Sequence, residues 1–303
     1  MKKIKCLILP MILALVISCE KENNLNESFV KQEKLEETVR YNAQDFNFVG
    51  EVHNEELEAT FNYISSEIND IHSQEQLLLK IDNFYTQLLL NMEYGENFTD
   101  FIANENFVYL EELQYIDFSN KELGEQTKFI LNTIRTYLNE LEDAVDNASI
   151  SDIEKVEREI YRDKDITNKE LFVFYSISSV AKSSLEYWYE NNLKWIQLIL
   201  EVKNKEQEME VNNENPKKVI KSWPPKRDWG LRVVKQDAMG AGAGAAYAWW
   251  MNAAPGAGQL AYGTAIGATS ASFSAAALID ELWPWGYNIR IEDIPPFSTI
   301  QLK

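Results

Sequence analysis

The most distinctive segment of the chain, Ala238–Ile279, reads AMGAGAGAAYAWWMNAAPGAGQLAYGTAIGATSASFSAAALI. It has 42 residues, none of which is Asp, Glu, Lys, Arg or His, and 28 are Gly, Ala, Ser or Thr. Pro255-Gly256 divides it into uncharged arms, Ala238–Ala254 and Gly256–Ile279. As helices these arms would be about 25 and about 35 Å long, against a bilayer core of about 30 Å. The stretch therefore predicts two helices joined by a turn, in contact with lipid or with protein.

The two arms repeat small residues at helical spacing. Gly240 and Gly244 are four residues apart, as are Gly263 and Gly267. Such ridges allow two helix backbones to approach closely, so we expect these glycines to mediate membrane contact or self-association. Residues 231–283 are similar to the glycine-zipper segments of bacteriocin-type and contact-dependent toxins. That resemblance implies helices that oligomerise and permeabilise membranes.

Residues 28–202 have a helical pattern without proline. Apolar residues recur at three and four, as in Leu57, Phe61, Ile64, Ile68 and Ile71. Capping-box signals mark helix starts at Ser73–Gln76, Ser151–Glu154 and Thr167–Glu170. We predict an all-α fold, in which an acidic bundle of five to seven helices precedes the Gly/Ala-rich helical hairpin. Trp188 and Trp195, one heptad apart, are expected in the core.

A short element near the start of the bundle combines Gly50, His53, Asn54 and Leu57. Its G-x-x-H-N-x-x-L pattern resembles an element of exported bacterial helical proteins of unassigned activity, and the resemblance implies no catalytic role. The residues themselves predict a turn at Gly50 and a helix capped by Asn54.

The N-terminus has the pattern of a targeting signal, with Lys2, Lys3 and Lys5 ahead of an apolar run. Val16-Ile17-Ser18-Cys19 resembles the bacterial lipobox. The resemblance implies that residues 1–18 are a lipoprotein signal peptide, and that Cys19 becomes the first residue and carries acyl chains such as palmitate. Residues 19–27 would then be a tether. The alternative is a plain secretory signal with a chance cysteine. We expect lipid anchorage in the bacterial cell envelope, at the outer membrane.

Charge is unevenly distributed along the chain. Residues 19–216 contain 17 basic and 42 acidic residues, a net charge of −25, which disfavours nucleic acid as a partner. The linker, residues 203–230, carries a basic cluster: Lys217, Lys218, Lys221, Lys226 and Arg227. Beside an apolar segment such a cluster suits anionic headgroups, at about 1 kcal/mol per residue. Pairing with the acidic body is the alternative.

No motif for catalysis stands out. His53 and His72 each precede a glutamate by three residues, Glu56 and Glu75, but in so acidic a chain such a match arises by chance. The chain has no G-x-S-x-G motif, and its only cysteines are Cys6, within the signal, and Cys19. Gly240–Gly244 lacks the Lys-Ser/Thr of a phosphate loop. We therefore expect a non-enzymatic protein without metal, cofactor or small-molecule substrate.

Two functional hypotheses follow. In the first, the lipid-anchored protein uses its hairpin to contact membrane lipid or a second copy, in a bacteriocin-like manner. In the alternative, the hairpin packs on the bundle, and the protein is a helical binding or scaffold lipoprotein. The tail, residues 284–303, includes one short predicted strand at Tyr287–Ile291.

Overall fold

The computed structural model describes residues 40–90, 125–211, 229–250 and 259–283. After a 3-10 turn at Ala43–Phe46, these ranges contain seven α-helices. The helices are α1 (Asn47–Glu67), α2 (Gln74–Leu90), α3 (Glu125–Asp146), α4 (Ile150–Arg162), α5 (Asn168–Val211), α6 (Trp229–Trp250) and α7 (Gln259–Leu282). The all-α prediction is confirmed for the described ranges.

Capping explains where several helices begin. Thr167 and Glu170 form a reciprocal box before α5: Thr167 N donates to Glu170 Oε2 at 2.8 Å, and Glu170 N donates to Thr167 Oγ1 at 3.2 Å. Ser73 caps α2, accepting from Gln76 N at 3.2 Å. Both starts match the sequence signals. The cap of α4 is Ser149, which accepts from Asp152 N, so α4 begins earlier than the predicted Ser151 box.

Four helices form a closed ring around the centre of the molecule. α5 packs on α6, α6 on α7, α7 on α1, and α1 on α5. The other three lie outside this ring: α2 packs mainly on α7, α3 on α5 and α6, and α4 on α3 and α5. The small-residue hairpin therefore supplies two of the four central helices, and it shares one core with the helices of the predicted bundle.

Large aromatic side chains lie in the core of the described ranges. Trp188, Trp195 and Trp229 are fully buried. The predicted core position of Trp188 and Trp195 is confirmed, and their ring centroids lie 5.8 Å apart.

The start of α1 differs from the prediction. Gly50 does not form a turn and Asn54 does not cap a helix, because both lie inside α1. A Cβ at Gly50 would lie 2.7 Å from the Ser179 carbonyl oxygen of α5. Glycine is required there for close helix packing, and not for an unusual backbone angle. Asn54 instead donates from Nδ2 to the Ser183 carbonyl at 3.1 Å.

Two helix boundaries also differ from those read in the sequence. α5 continues to Val211, past the predicted end of the bundle at residue 202, and α6 begins at Trp229, within the predicted linker. The charged end of α5 is stabilised by tertiary contacts: Lys203 donates to the Trp283 carbonyl at 2.8 Å, and Lys205 donates to the Ile68 carbonyl at 2.7 Å. The spacing of apolar residues along the sequence does not predict such tertiary contacts.

Ion pairs fasten the hairpin to its neighbours. Arg232 of α6 pairs with Glu281 of α7 through two hydrogen bonds. Lys235 of α6 pairs with two acidic residues of α3, Glu142 at 3.1 Å and Asp146 at 2.8 Å. These two cations, which follow the basic cluster in sequence, are thus engaged by acidic residues of the same chain. Across the described ranges, none of the helices has both the length and the apolar character needed to cross a membrane.

Candidate functional site

The predicted contact glycines on α6 face the backbone of α7. A Cβ at Gly240 would lie 2.7 Å from the Ser270 Cα, and one at Gly244 would lie 2.7 Å from the Ile266 Cα. Real Cβ atoms do not approach backbone so closely, so these two positions accept only glycine without a shift of α7. The ridge of Gly240 and Gly244 is used within the hairpin itself.

The predicted contact glycines on α7 face α1. A Cβ at Gly263 would lie 2.5 Å from the Phe48 ring, and one at Gly267 would lie 2.8 Å from the Val52 side chain and 3.1 Å from the His53 amide nitrogen. The two glycine ridges therefore point in different directions. One joins the two arms, and the other joins the hairpin to the bundle.

The remaining predicted site residues lie outside the described residues. They are the lipidation site Cys19 and the basic cluster Lys217, Lys218, Lys221, Lys226 and Arg227. The predicted tail strand, Tyr287–Ile291, lies outside them as well.

A polar cluster, which we call the central cluster, lies where the four ring helices meet. It consists of His53 from α1, Ser184 and Trp188 from α5, Asp237 from α6, and Ser270 and Ser274 from α7, all fully buried. Asp237 is its hub. Asp237 Oδ2 accepts hydrogen bonds from the Ser184 hydroxyl and from Trp188 Nε1, the latter at 2.9 Å. The Asp237 main-chain carbonyl accepts from the Ser270 hydroxyl at 2.7 Å.

His53 approaches the same carboxyl from α1. His53 Nε2 lies 3.6 Å from Asp237 Oδ2, and His53 Nδ1 lies 2.9 Å from Asn54 Oδ1. Asn54 is itself fixed by its bond to the Ser183 carbonyl of α5. The imidazole is thus held between α1, α5 and α6, and its rotation is restricted by a bond on one side and a carboxyl on the other.

Burial dominates the electrostatics of the pair. Removal from water raises the pKa of Asp237 from 3.8 to about 7, against the opposing effects of Ser184, Ser274 and Trp188. Removal from water also lowers the pKa of His53 from 6.5 to about 4, opposed by the bond to Asn54. Both groups therefore favour their neutral forms in the folded protein.

Three polar atoms of the central cluster have no hydrogen bond of normal geometry to any described residue. They are His53 Nε2, Asp237 Oδ1 and Ser274 Oγ. Ser274 still lies near enough to the carboxyl to affect its pKa, although the two side chains are not positioned for a bond. Buried polar atoms without partners are uncommon in proteins, so the central cluster is an unusual chemical environment.

The chemistry available to the central cluster is proton binding. It contains a serine, a histidine and an aspartate, but Ser184 donates to the carboxyl and not to the imidazole, so it is not arranged as an activated nucleophile. Full burial of all three side chains also keeps substrates away from them in this conformation. Within the described ranges, no group of three or more His, Cys, Asp or Glu side chains is placed to hold a metal ion.

Sequence reasoning singled out His53 for its spacing to Glu56 and missed Asp237 altogether. Asp237 directly precedes the uncharged stretch and continues the apolar face of α6 that begins with Val233 and Val234. The acidic residue lies in register with a buried apolar face. This was the signal that could have identified it, because a buried carboxyl requires buried partners. Its partner His53 lies on α1, far away in sequence, so only the fold identifies it.

Comparisons with known proteins leave the chain without an assigned family: no family model matches it, and neither the curated proteins nor the solved structures gave a match.

Proposed function

We propose that the protein is a lipid-anchored helical binding or scaffold module of the bacterial envelope, in which the small-residue hairpin is an internal part of the domain. The tether is the expected acylation of Cys19. Non-enzymatic action is consistent with the sequence, which offers no recognisable catalytic motif, and with the full burial of the central cluster.

The observation that carries this proposal is the location of the glycine ridges. Gly240 and Gly244 are covered by the α7 backbone, and Gly263 and Gly267 are covered by α1. Contact between these ridges and lipid, or between these ridges and a second copy, would require α7 to leave α6 and α1. The ion pair between Arg232 and Glu281 and the pairs of Lys235 with α3 oppose that separation. A hairpin that acts on the membrane in a bacteriocin-like manner remains the competing proposal.

Fractionation of a Cys19→Ala variant tests the proposal. If acyl chains are the only attachment, carbonate extraction leaves wild-type protein in the membrane pellet and releases the variant into the supernatant. Cys6→Ala is the matched control, because Cys6 lies within the signal peptide, and it should pellet like wild type. A Cys19→Ala variant that stays in the carbonate-washed pellet would contradict the proposal and favour insertion of the hairpin.

A binding module requires a surface, and α5 offers one. Tyr189 and Leu193, one turn apart on α5, are 43% and 52% exposed. They are neighboured by the exposed carboxylates Glu186 and Glu190. Apolar side chains within a negative field are complementary to a basic segment that carries an apolar anchor, and the net charge of −25 over residues 19–216 would steer such a segment to the protein. We therefore propose a basic protein segment as the partner of this face.

Titration with a synthetic lysine/leucine amphipathic peptide tests the α5 face. A Tyr189→Ala/Leu193→Ala variant should bind the peptide at least about tenfold more weakly, because buried apolar anchors dominate such interfaces. Leu79→Ala is the matched control: Leu79 is 56% exposed but lies on α2. Equal affinity in all three proteins would mean that charge alone attracts the peptide, and would remove the α5 face from the proposal.

A further inference from the structure

The hydrogen bonds around His53 define where its protons lie. Asn54 donates from Nδ2 to the Ser183 carbonyl, so its other amide atom, Oδ1, faces the imidazole. An amide oxygen only accepts, so His53 Nδ1 must be the donor across the 2.9 Å contact. In the neutral ring, His53 Nε2 is then a bare acceptor.

That acceptor faces another acceptor. His53 Nε2 lies 3.6 Å from Asp237 Oδ2, an oxygen that already accepts from Ser184 and Trp188. An ionised carboxylate opposite an unprotonated ring nitrogen would place two lone pairs together in a dry environment, with an unpaired negative charge at the centre of four helices. Such an arrangement is strongly unfavourable. One proton between the two groups removes both the repulsion and the net charge.

We propose that the His53–Asp237 pair is a buried proton-binding site, which holds one shared proton and is electrically neutral at mildly acidic pH. The carboxyl is its main resting place, since separated charges are costly when both side chains are fully buried. A neutral carboxyl opposite His53 lets α6 pack beside α1 without leaving a charge in the core.

Other titratable groups near the pair stay neutral in the same range. The Tyr85 phenol of α2 and the Tyr187 phenol of α5 lie within electrostatic reach of Asp237, and burial raises the pKa of each above its ordinary value. The groups contributed by α7, Ser270 and Ser274, do not ionise. The pair is therefore the only part of this cluster, among the described residues, that gains or loses a proton near neutral pH.

The shared proton has an unusual consequence for stability. In the unfolded chain the proton resides on histidine between pH 3.8 and 6.5, and in the folded chain it resides on Asp237 between about pH 4 and about pH 7. Folding thus moves the proton from one residue to the other without changing the number bound. By linkage, the pair adds almost no pH dependence to folding, although each partner has a large shift of its own.

Substitution of one partner should reveal how the other partner alone makes folding stability depend on pH, and the two slopes should have opposite signs. In His53→Gln only Asp237 titrates, and its raised folded pKa means that stability relative to wild type falls as pH rises from about 4 to about 7. In Asp237→Asn only His53 titrates, and its lowered folded pKa means that relative stability rises from about pH 4 to 6.5. Each slope approaches a tenfold change in the folding equilibrium constant per pH unit. Asp237→Asn keeps the size and shape of the side chain, and its amide oxygen can still accept from Ser184 and Trp188.

Two measurements test the proposal. Denaturant unfolding of the full chain in detergent, from pH 4 to 7, should give slopes of opposite sign for the two variants relative to wild type. Identical slopes in all three proteins would overturn it. Nuclear magnetic resonance of wild-type protein at pH 6 is independent of whether the variants fold. It should show one proton on the pair, and an ionised Asp237 carboxylate beside a neutral His53 ring would overturn the proposal.

Discussion

Gly240 of α6 and Ser270 of α7 are in backbone contact: a Cβ on the glycine would lie 2.7 Å from the Ser270 Cα. This contact closes the hairpin at the level of the central cluster, where Ser270 also donates to the Asp237 carbonyl at 2.7 Å. The small residues of the stretch therefore serve a packing purpose inside the domain, since they bring two helices close enough for a side chain to bond the facing backbone.

Substitution of Gly240 tests this contact. Gly240→Ala should lower the free energy of unfolding by about 1–3 kcal/mol, because the new methyl group must push the α7 backbone away. The measurement is denaturant unfolding followed by circular dichroism.

Gly242→Ala is the matched control for that experiment. The atoms nearest to a Cβ at Gly242 would belong to side chains and not to backbone: Ile134 Cγ2 at 3.0 Å and Ile177 Cδ1 at 3.1 Å. The gain in helix propensity of about 1 kcal/mol should offset that crowding, so stability should change little. If Gly240→Ala proves as stable as Gly242→Ala, the close approach of α6 and α7 is wrong.

Gly267 tests the contact between the hairpin and the bundle. Gly267→Leu would push a side chain into Val52 and the His53 backbone, so the strain reaches α1. We expect a loss of at least about 3 kcal/mol, together with loss of protection from hydrogen exchange in α1 as well as in α7. A hairpin independent of the bundle would instead lose its own protection and leave α1 unchanged.

Lys203 predicts a distinct alkaline behaviour. The residue is 2% exposed and its amine donates to the Trp283 carbonyl, and burial lowers its pKa from 10.5 to about 8. The unfolded chain therefore binds more protons at this position between pH 8 and 10.5, so the stability contributed by Lys203 rises with pH in that window. As the pH rises, the unfolding free energy of wild type should increase relative to that of Lys203→Met, by at most about 1.4 kcal/mol per pH unit. A constant difference from about pH 8 to about pH 10 would contradict the buried position.

The Arg232–Glu281 pair predicts a modest and salt-dependent coupling. Both side chains are partly exposed, so solvent screens their attraction. A double-mutant cycle with Arg232→Ala and Glu281→Ala should give a coupling of about 0.5–1 kcal/mol that shrinks in high salt. A coupling near zero would mean that this pair does not help to close the hairpin.

Local sequence rules predicted the helices well, because the signals for helices are local. The capping residues Ser73 and Thr167 act where the sequence places them, and the uncharged stretch forms two helices whose described ranges end at Trp250 and resume at Gln259. The sequence does not show whether the small residues pack against lipid or against protein. A ridge such as Gly263 and Gly267 allows close packing against any helix, whether in a bilayer or in a protein core.

The central cluster could not be predicted from the sequence, for a related reason. His53 and Asp237 acquire their roles only when α1 and α6 are brought together, and a buried pair leaves no spacing pattern. The predicted turn at Gly50 was wrong for the same reason: the glycine allows α5 to pack closely on α1, and it does not form a turn. Features that depend on the packing partner of a helix therefore required the fold.

Proton–proton distances across the α1–α7 contact show whether the hairpin belongs to the core of the bundle. In the full chain in detergent, nuclear Overhauser effects should link the Phe48 ring to the Gly263 α protons, and the Val52 methyl groups to the Gly267 α protons. The internal reference is the Phe46–Phe172 ring contact between the start of α1 and α5, with centroids 5.3 Å apart. A hairpin packed into the core should give all three effects. The reference effect without either of the hairpin effects would contradict that packing.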